Sequence, residues 1–350
     1  MMRNILFLTD RKACHLALPL LKWRRWLLKE GLRVQVSCNA ADISSKHWDD
    51  VILTEPLYRA KFRGNTEFFA NGAPLIRKDI KSARDGGASV IFFEARDGTS
   101  SPWFELLPEV DQYWKKQLLV DRDYYCTLAY RDKPSIWVEA EQTKRQPAEA
   151  QYIDKIKVGW NIAYHPYGWP QKGSWLPLWY GLVASPHFTD SSATKELLTA
   201  FRGRLAGNRK GHRQATIDAL VSMKHPRIIT GGVVSKRQYN QEVRNSQVVV
   251  SPFGYGEPCF RDMEAFMAGA ALLKPAMGHL ETFPDLYKPE GTYVEYAWDS
   301  SNLPGILLEL ESEPERMQRI ASEGQKTFKK YWTDANLFVS HFAKVLMSCP

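Results

Sequence analysis

The chain has 350 residues, 44% hydrophobic and 25% charged, which suits more than one globular domain at roughly 100 to 200 residues each and excludes a disordered or fibrous chain. With 47 Lys and Arg against 39 Asp and Glu the net charge is +8, which favours polyanionic partners: nucleotide phosphates, acidic glycans or phospholipid headgroups. The cations are spread without a basic tail or a zinc-finger, RNA-recognition or homeodomain signature, so nucleic acid is not the expected partner, and no run of about 18 apolar residues announces a membrane span.

In chain order, the N-terminal run MMRNILFLTDRKACHLALPLLKWRRWLLKEG reads as strand, loop and helix, not as a signal peptide, because no small-residue cleavage site follows its apolar stretch. NILFLT, RVQVSC, DVILT and SVIFFE are four expected strands, each rich in β-branched or large apolar residues and read as unmarked by polar alternation, as strands of a parallel sheet covered on both faces are. Between the first two, Leu16, Leu20, Trp23 and Leu27 make one helical stripe, which completes a βαβ pattern. That same stretch interleaves Arg24 and Arg25 with tryptophan. It is expected either to leave those cations solvated or to rest on an anionic membrane surface.

The Pro- and Trp-rich passage GWNIAYHPYGWPQKGSWLPLWYG has no sustained period and reads as a connection lining a cleft. The α/β pattern then restarts: strands LLTAFRG, RIIT, QVVVS, AALLK and TYVEY, with helices at GHRQATIDALVSM and SKRQYNQEVRNS and further helices from about 302 onward. Ser235 with Gln238 three residues later is a capping-box signature. Cys14, Cys38, Cys126, Cys259 and Cys349 form an odd set without a C-x-x-C pair, which favours reduced thiols and a cytoplasmic setting.

The stretch SPFGYGEPCFRDMEAFMAGAALLKP carries the chemistry. After the strand QVVVS, Gly254 and Gly256 permit close backbone approach and unusual dihedrals, and Pro258 is expected near the first turn of a helix whose N-terminus is a seat for phosphate. Arg261 and Glu264, three residues apart, share a face. Glu264 lies roughly 9 Å along the axis from Pro258 at 1.5 Å per residue, so a phosphate at the helix mouth and a ribose on the carboxylate belong to one ligand. A solvated intrahelical ion pair is the plainer alternative.

This run, with HLETFPDLY after it, resembles the nucleotide-binding C-terminal domain of GT-B glycosyltransferases, especially the group-1-like and exostosin-like branches, in which an Arg-x-x-Glu-Ala segment precedes a glycine and a short strand. FRG, HRQATIDAL, KRQYNQEVRNS and the block ARDGTSSPWFELLPEVDQYWKKQLLVDRDYY share its character. The resemblance implies an α/β fold of two Rossmann-like domains whose parallel sheets face each other across a cleft. Residues 1–160 would form the acceptor side, 161–195 a connection, 196–332 the donor side, and 333–350 a helix packing back toward the first domain.

It also implies that Gly254, Tyr255, Gly256, Glu257 and Arg261 surround the donor phosphates while Glu264 holds the ribose. Retaining relatives often carry another glutamate eight positions before that one; here the position is Gly256, and Glu257 is displaced by one. Inverting relatives place a histidine base after their first strand, oriented by an aspartate. His15 and Asp97 are so placed, with Asp97 itself or Asp10 as alternative bases. Arg202 and Lys236, beside a strand end and a helix start, are expected to neutralise the leaving diphosphate or to be solvated surface positions. His279, Glu281 and Lys274 stand near the sugar or close a loop.

No metal and no cofactor beyond the donor is expected, and the acids of DRD at 121–123 are read as lying apart on a helix. The expected function is transfer of a sugar from a nucleotide-sugar donor to a glycan or lipid-linked saccharide acceptor in surface polysaccharide or glycoconjugate synthesis, in the cytoplasm or at the inner face of a membrane. The alternatives are a sugar-nucleotide epimerase or hydrolase on the same fold and a non-catalytic binder of anionic glycan.

Overall fold

The computed structural model describes residues 2–10, 14–127, 147–165, 186–203 and 210–348. The first lobe runs β1 (Arg3–Leu8), α1 (Cys14–Lys22), α2 (Arg24–Lys29), β2 (Leu32–Ser37), β3 (Asp50–Thr54), α3 (Glu55–Arg59), α4 (Asn65–Asn71), α5 (Ala73–Asp85), β4 (Ser89–Glu94), β5 (Gln112–Lys115), β6 (Gln117–Leu119) and β7 (Ile156–Val158). Its sheet has six parallel strands in the order β2-β1-β3-β4-β5-β7. In β1, β3 and β4 apolar runs without alternation bury both faces: Leu6, Leu8, Val51 and Leu53 meet α5 through Ile76 and Ile80, while Ile5, Phe7, Ile52 and Phe93 meet α1 and α2. Strand β2, expected to lack alternation, instead alternates buried Leu32 and Val34 with exposed Arg33 and Gln35, as its place at the sheet edge allows.

The four expected strands are present, and two further ones, β5 and β7, extend the sheet. The expected first helix is divided at Trp23, four residues after Pro19, although its stripe of Leu16, Leu20, Trp23 and Leu27 is buried throughout.

The second lobe runs β8 (Thr199–Arg202), α6 (Lys210–Ser222), β9 (Ile228–Gly231), α7 (Lys236–Arg244), β10 (Val248–Val250), α8 (Phe260–Ala268), β11 (Ala271–Pro275), β12 (Leu280–Thr282), β13 (Tyr293–Tyr296), α9 (Leu303–Ser312), α10 (Pro314–Thr333) and α11 (Ala335–Met347). Parallel β10-β11-β13 continue into the parallel β8-β9 pair through a bridge between Leu197 and Ser246. Ser235 caps α7 by accepting from the Gln238 amide at 3.2 Å, as its spacing requires.

Several connections among the described residues fix the lobes to each other. Helix α11 returns to the first lobe, where Phe338 and Phe342 join the core around Phe7, Trp114 and Trp160. Strand β12 pairs antiparallel with β6, Glu281 opposite Leu118, and the Asn161 amide donates to the Phe283 carbonyl at 2.7 Å. The C-terminal edges of both parallel sheets, where open α/β sheets bind their ligands, therefore meet along one seam. The expected connection lies, from residue 166 to 185, outside the described residues.

Candidate active site

The loop after β10 is shaped by a buried carboxylate. Asp262, with no exposure, accepts from Ser251 Oγ at 2.5 Å, the Cys259 amide at 2.9 Å, Tyr287 Oη at 2.7 Å and Lys274 Nζ at 3.1 Å. A buried charge is tolerated only with such partners, so the strand end, the loop end and the helix start are drawn to one point. Cys259 is the extended N-cap and Asp262 completes its capping box, so the helix starts at Phe260, two residues after the expected Pro258. At the other end Gly269, with φ +59, closes α8 in the left-handed conformation, and an added Cβ there would meet Ser191 at 2.6 Å.

A cavity of about 250 Å³ opens at this helix mouth. The second lobe lines it with Gly254, Tyr255, Gly256, Arg261 and Glu264, joined by Arg213 from α6 and Tyr239 from α7; the first lobe adds Asp97, and Ile162 lies beside it. Glu264 accepts from Tyr239 Oη at 2.5 Å and from Lys236 Nζ at 2.9 Å. Burial raises the Tyr239 phenol above its ordinary range, so it stays a donor to that carboxylate. Arg261 lies over the Phe201 ring at 4.5 Å and donates to the Arg202 carbonyl at 2.6 Å, which fixes its guanidinium beside the cavity.

The expected residues divide clearly. Gly254, Tyr255, Gly256, Arg261, Glu264 and Asp97 come together. Glu257, expected beside the donor phosphates, instead faces the first lobe, where Thr99 Oγ1 donates to it at 3.3 Å and Gln117 Nε2 at 3.4 Å. Arg202, expected to neutralise a leaving group, is held in a double hydrogen bond to Glu242 at 2.8 Å and also donates to the Thr230 carbonyl. Lys236 does not line the cavity: its ammonium pairs with Glu264 and lies 4.6 Å from the Tyr239 ring centroid, and its side chain remains 69% exposed. His15 lies in the first turn of α1, and its side chain is outside the described residues.

The remaining candidates sit elsewhere. Lys274 serves the buried network, Glu281 pairs with Arg122 on the ribbon between the lobes, and His279 packs against Trp298 with ring centroids 5.1 Å apart. The acids of DRD occupy a 3-10 turn instead of a helix, with Asp121 capping it by accepting from the Asp123 amide. Gly254 and Gly256 are not among the described glycines with positive φ. What Gly256 permits is close approach: an added Cβ would stand 1.6 Å from the Asp97 carbonyl oxygen, so two backbones from opposite lobes touch there.

Sequence reasoning missed Arg213, Tyr239 and Ile162. Arg213 had a readable signal, a cation in the opening turn of a helix, where the dipole disfavours positive charge unless an anion is near. On the first lobe, Asp97 is half exposed and its carboxylate is met by the buried Lys116 at 2.5 Å. Burial and the Lys116 charge hold the His165 imidazole down to about 4, so the ring beside Phe260 is neutral at physiological pH.

No family model matches this chain, and no curated protein matches it. Solved structures do match. An alpha-glucosyltransferase in complex with UDP and a 13-mer DNA containing a central A:G mismatch superposes with TM-score 0.53 at 10% identity, covering 99% of this chain and 100% of that one. The alpha-glucosyltransferase with UDP and a 13-mer DNA containing an HMU base gives 0.52 at 8% identity over 99% and 100%. TarM gives 0.50 at 10% identity over 89% of this chain and 58% of its own. At such identities the likeness establishes the fold, which is that of the GT-B glycosyltransferases.

Proposed function

We propose that this protein is a glycosyltransferase that takes a sugar from a nucleotide-sugar donor and passes it to a glycan or lipid-linked saccharide. The observation that carries the reading is the convergence, in one cavity, of the α8 N-terminus, Arg213, Arg261 and Glu264. Helix-terminal amides and guanidinium groups complement a diphosphate, and a carboxylate one turn further in complements ribose hydroxyls. Lys236 is the exposed partner of Glu264, so a ribose hydroxyl displaces it at little cost while Tyr239 keeps the second oxygen.

Asp97 faces this cavity from the other lobe, where a carboxylate is suited to accept the proton of an acceptor hydroxyl. Arg213 and Arg261 stabilise the charge that develops on the leaving diphosphate, a role that needs no metal ion. Two of the solved structures sharing this fold hold UDP, which makes uridine diphosphate the first nucleotide to test.

No helix among the described residues is long and apolar enough to cross a membrane. An acceptor carried at a membrane surface is supported by α2, where Trp26 is 44% exposed between exposed Arg24, Arg25 and Lys29. Sedimentation with vesicles containing phosphatidylserine should carry the protein down, and Trp26→Ala should release it; equal sedimentation of both would reject this membrane contact.

The function is tested by a thermal-shift screen against UDP-, GDP-, CMP- and ADP-sugars, followed by product analysis with labelled donor. One nucleotide family should raise the unfolding temperature in a concentration-dependent way and be consumed only with an acceptor present. Stabilisation by none of them would remove the reading, and turnover without acceptor would replace it with hydrolysis or epimerisation.

A further inference from the structure

Glu257 is a carboxylate with no exposure, on the donor loop, directed away from the donor cavity. Its Oε1 accepts from Thr99 Oγ1 and its Oε2 from Gln117 Nε2, both in the first lobe and both buried. Gln117 also donates to the Asp97 carbonyl oxygen, and its neighbour Lys116 holds the Asp97 carboxylate at 2.5 Å. On the loop side, Gly256 lies with its backbone against Asp97 and Gly98, so close that a Cβ has no room. A chain of buried contacts thus runs from the donor loop through Glu257 and Gln117 to the one acidic side chain the first lobe presents to the cavity among the described residues.

We infer that Glu257 is a positioning residue: it reaches across the seam to Gln117 and Thr99 and so sets where Asp97 stands relative to the donor loop. A carboxylate at this place on the loop would otherwise be read as a ligand of the donor, and the geometry assigns it the opposite direction. A buried anion is costly unless hydrogen bonds hold it, and because two of those that hold Glu257 come from the first lobe, they fix the separation between the two halves of the site. The kinetic part of this inference rests on the nucleotide-sugar reading; the structural part does not. Because effective alignment of reacting groups is steeply distance-dependent, loosening the contact should cost turnover far more than donor affinity.

The experiment compares the unmodified protein with Glu257→Gln and with Gln117→Met, which removes the same contact from the other side. Hydrogen exchange is followed by mass spectrometry over peptides covering 95–101 and 252–259. Donor KM, kcat and the dissociation constant for the matching nucleoside diphosphate are measured in parallel. Both variants should exchange faster in both segments, with kcat falling by about 10 to 100-fold and the nucleotide dissociation constant changing by less than about threefold. Unchanged exchange in segment 95–101 for both variants would overturn the inference whatever the activity. So would a tenfold or larger rise in the dissociation constant for Glu257→Gln with kcat retained, because that marks a donor ligand. If exchange responds as stated and the unmodified protein binds no nucleotide, the contact across the seam stands and the glycosyltransferase reading falls by itself.

Discussion

The two sheet edges that meet at the seam handle buried charge differently. On the first lobe Glu94 is fully buried with Lys115 Nζ at 2.8 Å, Tyr113 Oη at 2.6 Å and Arg96 Nε at 3.8 Å, and Glu55 lies buried beside them. That cluster carries two cations against two acids. On the second lobe Asp262 has one cation partner among the described residues, Lys274, and its remaining bonds pin the loop that opens the cavity. Charge on the first lobe is shared and internal; charge on the second is concentrated and organises the loop beside the cavity. The comparison explains why the second lobe carries most of the cavity while, among the described residues, the opposing edge contributes one half-exposed carboxylate, Asp97.

The largest effect should come from breaking the concentrated network. Asp262→Ala leaves the Lys274 ammonium buried without a carboxylate partner among the described residues, with the Ser251 carbonyl at 3.4 Å and the Phe253 ring at 5.1 Å, and should lower stability by about 3 to 5 kcal/mol in denaturant unfolding. Lys115→Met on the other lobe should cost less, because Tyr113 and Arg96 remain with Glu94. Equal losses from the two variants would erase the distinction between the lobes.

A second effect follows from Glu55. Burial, with the Glu94 charge adding and the Arg96, Arg59 and Lys115 charges opposing, raises its carboxyl to about 7. The folded protein therefore holds a proton that the unfolded chain has released, so stability is full below about pH 4.5 and declines as pH rises toward 7, by at most about 3 kcal/mol. Glu55→Gln should flatten the decline between pH 5 and 7 in thermal unfolding; an unchanged pH profile would mean that Glu55 is ionised in the folded state.

Much of this arrangement was legible in the sequence because its signals are local. Three strands of the first sheet, β1, β3 and β4, are largely apolar runs, while the edge strand β2 alternates buried Leu32 and Val34 with exposed Arg33 and Gln35, and Ser235 with Gln238 marks a helix start by spacing alone. Arg261 and Glu264 share a face by helical geometry, and they do meet at the cavity. What escaped depends on contacts distant in sequence. Strand β5 reads as polar, Gln-Tyr-Trp-Lys, because its lysine is paired with Glu94 in the interior. Glu257 and Asp262 look equally available along the chain, yet one answers to residues near 100 and 117 and the other to Ser251, Lys274 and Tyr287. Arg202 looked free to meet an anion until Glu242, 40 positions on, took its guanidinium.

The smallest expected change in fold, and the most informative about function, is the loss of one carboxylate at the cavity. Calorimetric titration of the unmodified protein and of Glu264→Ala with UDP, or with whichever nucleoside diphosphate the screen selects, tests the account most directly. Removing a charge-assisted acceptor should weaken binding by about 10 to 100-fold while the unfolding temperature without ligand stays within a few degrees. Equal affinities for the two proteins would contradict the claim that Glu264 and the α8 mouth hold the donor nucleotide.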